Sequence, residues 1–429
     1  MQNEAVIVGA GVGGLAVAKE LAHRGKKTVI LEKGRHIKQF GNVDIIEAYD
    51  DSARRRSKEG VLIYSAFMVG GTGVVAIANG VRALEKELKN IGIDLTAEFD
   101  EVEKEVGLNP VPESKMGPRA SKIISCGKKL GYNFIPMPKF IDFNKCVGCG
   151  KCVFGCAYGA KWSSLDYLPD MSEELVDLRT GITVEEVLFS GGKIEGVRCR
   201  GPEGTFEIMS DTVVLAAGGI GSCIILKKSG VDGVGENFFV DSYVNTYGSI
   251  EEEMKPELAM ATVLVDYHEK DGFLLASFMP PLPRSIFMPP LTDDLKILKQ
   301  SNSLGIMVKI KDEYIGTVSV DGKLEKGVTE KDKEKLDKGI EISKQILLET
   351  GCSEDSIFST NVESAHPGGT APMGKIVDTN LETDIKGLFI CDASVLPETP
   401  GAPPILTITA LGKRLGKYLD KKGIVNRGM

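Results

Sequence analysis

The sequence predicts an α/β fold: a Rossmann-like nucleotide-binding part, an antiparallel β-sheet domain for a substrate, and an insertion carrying a cysteine run. Three observations predict it. Residues 5–34 read as apolar run, glycine turn, helical stripe and second apolar run. Residues 182–219 are short alternating runs split by Gly-Gly and Pro-Glu-Gly turns, ending in an apolar strand and Gly218-Gly219. Residues 245 to about 325 are strand-like and rich in proline, and FLLASFMPPLPRSIFMPPL among them offers apolar side chains for a core or for the cover of an apolar pocket.

The first of these, AVIVGAGVGGLAVAKELAHRGKKTVILEKG, is a βαβ unit. Leu15, Ala18 and Leu21 fall on one helical face. Gly9, Gly11 and Gly14 supply the tight turn, the close approach to a pyrophosphate and the close helix–strand contact, while the helix N-terminus offers free N–H groups to phosphate. Glu32, about 20 residues further on at the end of the second strand, is placed to accept from a ribose 2′-OH. A lone glycine fingerprint is weak evidence; this one has the strand, the helix and the acid around it. Next, GGTGVVAIANGVRALEKELKN is a glycine-rich loop running into a charged helix, and residues 97–180 read as an insertion of charged helices and Pro-containing loops. Residues 182–219 follow as a β-meander that returns to the parallel sheet, and TEKDKEKLDKGIEISKQILLETG is a charged helix. The division expected is 1–96 and 181–244 for the two nucleotide-binding parts, 97–180 for the insertion, 245–350 for the substrate domain and 351–429 for a closing segment.

Composition narrows the function. The chain has 429 residues, 52 Lys+Arg against 60 Asp+Glu and a net charge of −8, which disfavours a general nucleic-acid or anionic-membrane binder. The one basic block, Arg54-Arg55-Arg56, is flanked by acids and reads as a solvated helix face. No secretory signal pattern opens the chain and no apolar run is long enough to span a bilayer, so a cytoplasmic location is expected. In that compartment nine cysteines argue for metal or redox duty in the clustered four, with Cys126, Cys199, Cys223, Cys352 and Cys391 as ordinary buried thiols.

The cluster is CVGCGKCVFGC: Cys146, Cys149, Cys152 and Cys156 at C-x2-C-x2-C-x3-C spacing. Thiolates so spaced can wrap one [4Fe–4S] cube, because each short loop returns the chain to the same face. Zinc and disulfides are the competing readings. Structural zinc uses two separated ligand pairs, and an odd cysteine count suits disulfides poorly. The fourth ligand is left between Cys156 and Cys126, since the last cysteine of such a run serves a second cluster in two-cluster ferredoxins.

Four separated segments resemble the glucose–methanol–choline oxidoreductases, most closely their cholesterol-oxidase-like branch. They are the Gly9, Gly11, Gly14 and Glu32 fingerprint; Gly70, Gly71, Thr72 and Asn79-Gly80; VVLAAGGIGS with SGVDGVGENF after it; and HPGGTAPMG followed by CDASVLPETPGAPPILTITA. The resemblance implies FAD as cofactor, held also by Val184, Ala217, Gly218, Asp392, Ala393, Thr407 and Ile408. It implies His366 as the active-site base. His23 and His36 belong to the nucleotide-binding region and His268 to a charged run, which leaves His366 of the four histidines. An imidazole with an ordinary pKa near 6.5 suits proton removal from an alcohol at neutral pH. One departure stands out: where relatives carry asparagine or a second histidine, this chain has Pro403, which has no hydrogen bond to offer. The partner of His366 is therefore open. The function expected is oxidation of an alcohol to a carbonyl, an apolar alcohol being among the candidate substrates, with electrons leaving singly through the cluster to a ferredoxin-like or other one-electron acceptor. Carbonyl or C=C reduction driven by a low-potential donor, and a non-catalytic electron carrier, are the alternatives.

Overall fold

A computed structural model of the chain describes residues 5–41, 45, 54–279 and 300–423. The PPLPRSIFMPPL stretch beyond Met279 lies outside the described residues.

A five-stranded parallel sheet forms the nucleotide-binding half, in the spatial order Leu388–Ile390, Val213–Leu215, Ala5–Val8, Thr28–Glu32, Val176–Thr180. All but the edge strand Val176–Thr180 are short and buried on both faces, which is why they read as continuous apolar runs rather than alternating ones. The first helix, Val12–Ala22, is buried on almost every side. It lies against the last helix, Ile405–Lys421, at small-residue contacts: a Cβ at Gly412 would sit 2.6 Å from that of Ala16, and one at Gly416 2.4 Å from that of Glu20. Each fully buried Leu or Val in this layer contributes roughly 1.5–3 kcal/mol to stability. The meander of residues 182–209 is a three-stranded antiparallel sheet, Thr183–Ser190, Lys193–Gly201 and Gly204–Met209.

The second large sheet has nine strands and is mostly antiparallel. Its middle is the pair Ser242–Ser249 and Ser303–Ile310, and Phe273–Ser277 continues it on one side. It draws in strands from well outside 245–350, including Leu62–Tyr64, Ile135–Pro136 and Glu363–Ser364. The charged helix Glu330–Glu349 begins at a capping box between Thr329 and Asp332 and covers this sheet with its apolar stripe.

One expectation is corrected. Arg54–Arg56 is not a helix face but the edge strand of this sheet, antiparallel to Leu62–Tyr64. Gly60, at φ +94°, makes the hairpin turn that charge patterning alone does not reveal. A charged edge strand is also less prone to pair with another chain.

Candidate active site

The turns that follow Val8, Leu215 and Ile390 leave the parallel sheet side by side at the carboxyl ends of its strands, where open α/β sheets bind nucleotides. Gly9, at φ +101°, packs so closely that a Cβ there would stand 2.3 Å from the Ala216 carbonyl oxygen. Gly14 faces the Gly9 carbonyl, 2.1 Å from where its Cβ would be, so its role is the close helix–strand contact. Gly11 is different: nothing comes nearer to its would-be Cβ than 3.9 Å, which leaves open space over the helix N-terminus. Gly13, which fingerprint spacing passes over, is the tightest of all, 1.8 Å from the Cys391 carbonyl oxygen.

Glu32 is buried at the strand end, where its carboxylate accepts from the backbone N–H groups of Ala10 (2.9 Å) and Gly34 (2.7 Å). Burial raises its pKa, and those two hydrogen bonds oppose the shift. Gly70 and Gly71 both have positive φ and fold over the first glycine turn, with the Gly70 N–H donating to the Ala10 carbonyl at 2.7 Å. Thr72 stands in the single-turn helix Gly71–Val75, its hydroxyl accepting from Ala66 N–H. Asn79 is buried and accepts from Lys139 Nζ at 2.5 Å. Asp392 ties two of the turns together, accepting from Gly218 N–H (2.9 Å), the Ser222 hydroxyl (2.5 Å) and the Ser394 N–H (2.8 Å). Ala217 and Ala393 flank that junction. Thr407 donates to the Ala83 carbonyl at 2.7 Å, and Ile408 packs beside Gly13. Val184 is buried in the meander, two residues after Ile182, whose N–H donates to the Glu32 carbonyl. The predicted residues thus lie on glycine turns, on the Glu32 strand end and on the first turns of the first and last helices, with Val184 joined to Glu32 through the meander.

His366 comes to this end from the other direction. A Cβ on Gly219 would stand 2.1 Å from the Pro367 carbonyl oxygen, so the histidine segment rests on the second glycine turn. Its partner is a residue that sequence reasoning missed: His366 Nδ1 lies 2.9 Å from Asp241 Oδ2. Asp241 is fully buried, and its other oxygen accepts from Gly401 N–H at 2.9 Å. Both residues of the pair have left-handed backbones, His366 at φ +67° and Asp241 at φ +52°. Such strain in two non-glycine residues that face each other collects at functional sites. With a carboxylate against Nδ1, that nitrogen carries the proton and the lone pair is left on Nε2. The His366 side chain is 22 % exposed, whereas Asp241 is fully covered. Burial, and then Lys309, push His366 below the ordinary imidazole range, while Asp241 pulls it back. The signal in the sequence was an aspartate inside the apolar run FFVDSYV, five residues after Glu236.

The cysteine run forms a loop whose turns fall at Gly148, Gly150, Gly155 and Gly159, all with positive φ. All nine cysteines are free thiols. Burial raises the Cys152 pKa, and the neighbouring Cys149 and Cys146 add to it. Ala160 N–H points at Cys156 Sγ at 3.4 Å, and Lys161 Nζ donates to the carbonyls of Cys152 (2.8 Å), Val74 (2.6 Å) and Ala76 (2.7 Å). Cys126, the rival fourth ligand, instead points at the Glu349 carbonyl. Among the described residues, no three His, Cys, Asp or Glu side chains stand close enough to hold a metal ion. The Cys156 sulfur accepts from the loop's own backbone, and Lys161 fixes the loop through the Cys152 carbonyl. The chemistry of the donor set, four soft thiols with an N–H···S contact, nevertheless suits a cluster. Cys199, Cys223, Cys352 and Cys391 are buried as expected, with thiol pKa values raised chiefly by burial, to about 11 for Cys199 and Cys223.

Comparison with known proteins decides the family. The N-terminal model of the GMC oxidoreductases matches residues 3–242, and the C-terminal model matches residues 323–412. The chain belongs to the GMC oxidoreductase family. As a GMC oxidoreductase it is an FAD-dependent enzyme acting on CH–OH donors. It is 30 % identical over 414 residues to an uncharacterized protein of Methanocaldococcus jannaschii, covering 95 % of this chain and 97 % of that one. A long-chain-alcohol oxidase of Arabidopsis thaliana is 25 % identical, over 97 % of this chain and 68 % of its own length. Among solved structures, pyridoxine 4-oxidase from "Mesorbium loti" shares the fold at a TM-score of 0.75 and 16 % identity, covering 98 % of this chain and 99 % of that one. No helix of the described residues is long and apolar enough to cross a membrane.

Proposed function

We propose that this GMC oxidoreductase is a dehydrogenase that oxidises an apolar alcohol to its carbonyl, with His366 as base and Asp241 as the residue that orients it. The observation that carries this reading is the His366–Asp241 contact of 2.9 Å at the flavin end of the sheet. The likeness to long-chain-alcohol oxidases supports an apolar substrate, as does the cholesterol-oxidase-like character of the closing motif.

The open space over Gly11 and the turns at Gly70, Gly218 and Asp392 suit FAD, which when bound accepts a hydride from the alcohol carbon. His366 Nε2 takes the hydroxyl proton, so the O–H bond breaks as an N–H bond forms and the carbonyl is left behind. Asp241 holds the ring through Nδ1–H and stabilises the imidazolium that results. Cys146, Cys149, Cys152 and Cys156 would hold an iron–sulfur cluster, which when present exchanges electrons singly with a ferredoxin-like or other one-electron partner.

The test is anaerobic bleaching of the flavin by a panel of primary and secondary alcohols of increasing chain length. Bleaching by an apolar alcohol is expected, and His366→Ala should slow it by about 10²–10⁴-fold with FAD still bound. Reduction only by dithionite or a protein donor would identify an electron carrier instead. Iron and sulfide analysis of the same anaerobic preparation reads the cluster separately, and protein containing zinc without iron would end that part of the reading.

A further inference from the structure

We propose that Lys309, buried behind Asp241, is a positioning residue that keeps His366 in its proton-accepting form. This rests on the reading of His366 as the base.

Lys309 is an anomaly in its own strand. Ser303–Ile310 is buried throughout, and Lys309 is a charged residue near its end, paired across the sheet with Tyr243 and Leu274. A buried ammonium is costly unless it is paired and hydrogen-bonded. Its Nζ donates to the Asp241 carbonyl at 2.9 Å, lies 3.7 Å from the same Asp241 Oδ2 that faces His366, and sits 5.4 Å from the centre of the Tyr243 ring. One carboxylate oxygen is therefore shared between an imidazole and an ammonium.

The neighbouring charged and titratable groups have partners of their own. Asp312 accepts from the Asp241 N–H at 2.9 Å and is paired with Lys326 at 2.8 Å. The Tyr243 hydroxyl donates to Glu363 at 3.1 Å. His268, which feels Asp241, is held on the Pro400 carbonyl at 2.9 Å. With Lys326 balancing Asp312, Lys309 is the cation that balances Asp241. His366 can then stay neutral, its Nε2 lone pair free. Without Lys309, the buried Asp241 carboxylate has His366 as its nearest cation, and the ring would be protonated before substrate arrives. The directions agree: Lys309 follows burial in lowering the His366 pKa, and burial lowers the Lys309 pKa while Asp241 and Asp312 favour its ammonium.

The experiment is a pH titration of isotope-labelled histidine by NMR in the FAD-loaded protein, alongside the pH profile of anaerobic flavin reduction. Only four histidines need assignment. Lys309→Met is expected to raise the His366 titration by about 1–2 pH units and to move the acid limb of the rate profile with it. Lys309→Arg, which keeps the charge, is expected to stay nearer the wild type, and Lys309→Gln replaces the Met variant if that one does not fold. An unmoved His366 titration in the neutral variants overturns the proposal, as does an equal shift in the Met and Arg variants. A titration that moves while the rate profile stays still upholds the role of Lys309 and overturns only the reading of His366 as base.

Discussion

At the residue scale the centre of the molecule is one contact between two strained residues. His366 stands out as a candidate in the sequence because the other three histidines fall in places without a role for a base, and because HPGGTAPMG has a recognisable pattern. Asp241 was not, since a contact across 125 positions leaves no periodic trace. Pro403 made a missing partner visible without supplying one. The structure fills the gap from elsewhere: Gly401, two residues before Pro403, donates its N–H to Asp241, so the proline segment holds the aspartate instead of the histidine. Asp241→Asn keeps the shape and removes the charge that fixes the tautomer of His366. The rate of flavin reduction by substrate is expected to fall by about 10²–10⁴-fold with FAD content unchanged, as when an orienting carboxylate is neutralised behind a catalytic histidine. Stopped-flow reduction under anaerobic conditions measures it, and an unaltered rate would leave Asp241 a structural role only.

At the element scale, the first βαβ unit was the most legible part because three local rules agree there: apolar periodicity, turn glycines and an acid at the strand end. Local rules also failed at this scale. Arg54–Arg56 has no alternation of its own and became a strand because Leu62–Tyr64 offered it a hairpin partner. The cysteine spacing predicts one ligand shell, whereas among the described residues no three metal-ligating side chains stand together. The glycines of the first turn separate fold from cofactor binding in a way that can be measured. A methyl group at Gly13 would collide with the Cys391 backbone, which cannot yield without moving the strand end. Gly13→Ala should therefore lower stability by roughly 1–3 kcal/mol as well as releasing FAD. A methyl group at Gly11 meets no protein atom within 3.9 Å, but it occupies the space the phosphates need. Gly11→Ala is expected to melt with the wild-type apoprotein and still bind FAD poorly. Thermal melts beside flavin-to-protein absorbance ratios check both, and equal melting of the two variants would refute the distinction.

At the scale of the whole molecule, the sequence showed two kinds of sheet but not how the second is assembled. Its nine strands come from segments as far apart as Arg54–Arg56 and Glu363–Ser364, and such pairing is invisible to windows that see only neighbours. The same long-range closure governs the cofactor end. Gly70 reaches Ala10, Asp392 reaches Gly218 and Ser222, and Thr407 reaches Ala83, so segments from the start, middle and end of the chain meet at one edge. A ligand that touches all of them binds only when all are in place, and it adds RT ln(1 + [L]/Kd) to the stability of the folded chain. At a hundredfold excess of FAD over its Kd this is about 2.7 kcal/mol. Spread over the unfolding entropy of a chain this long, it raises the Tm by about 3 °C, with the rise growing logarithmically as FAD is added. Scanning calorimetry of the apoprotein against stepwise additions of FAD measures the slope. A Tm that FAD does not move would mean that these turns are joined by the protein alone and that the cofactor is held by fewer of them than their convergence implies.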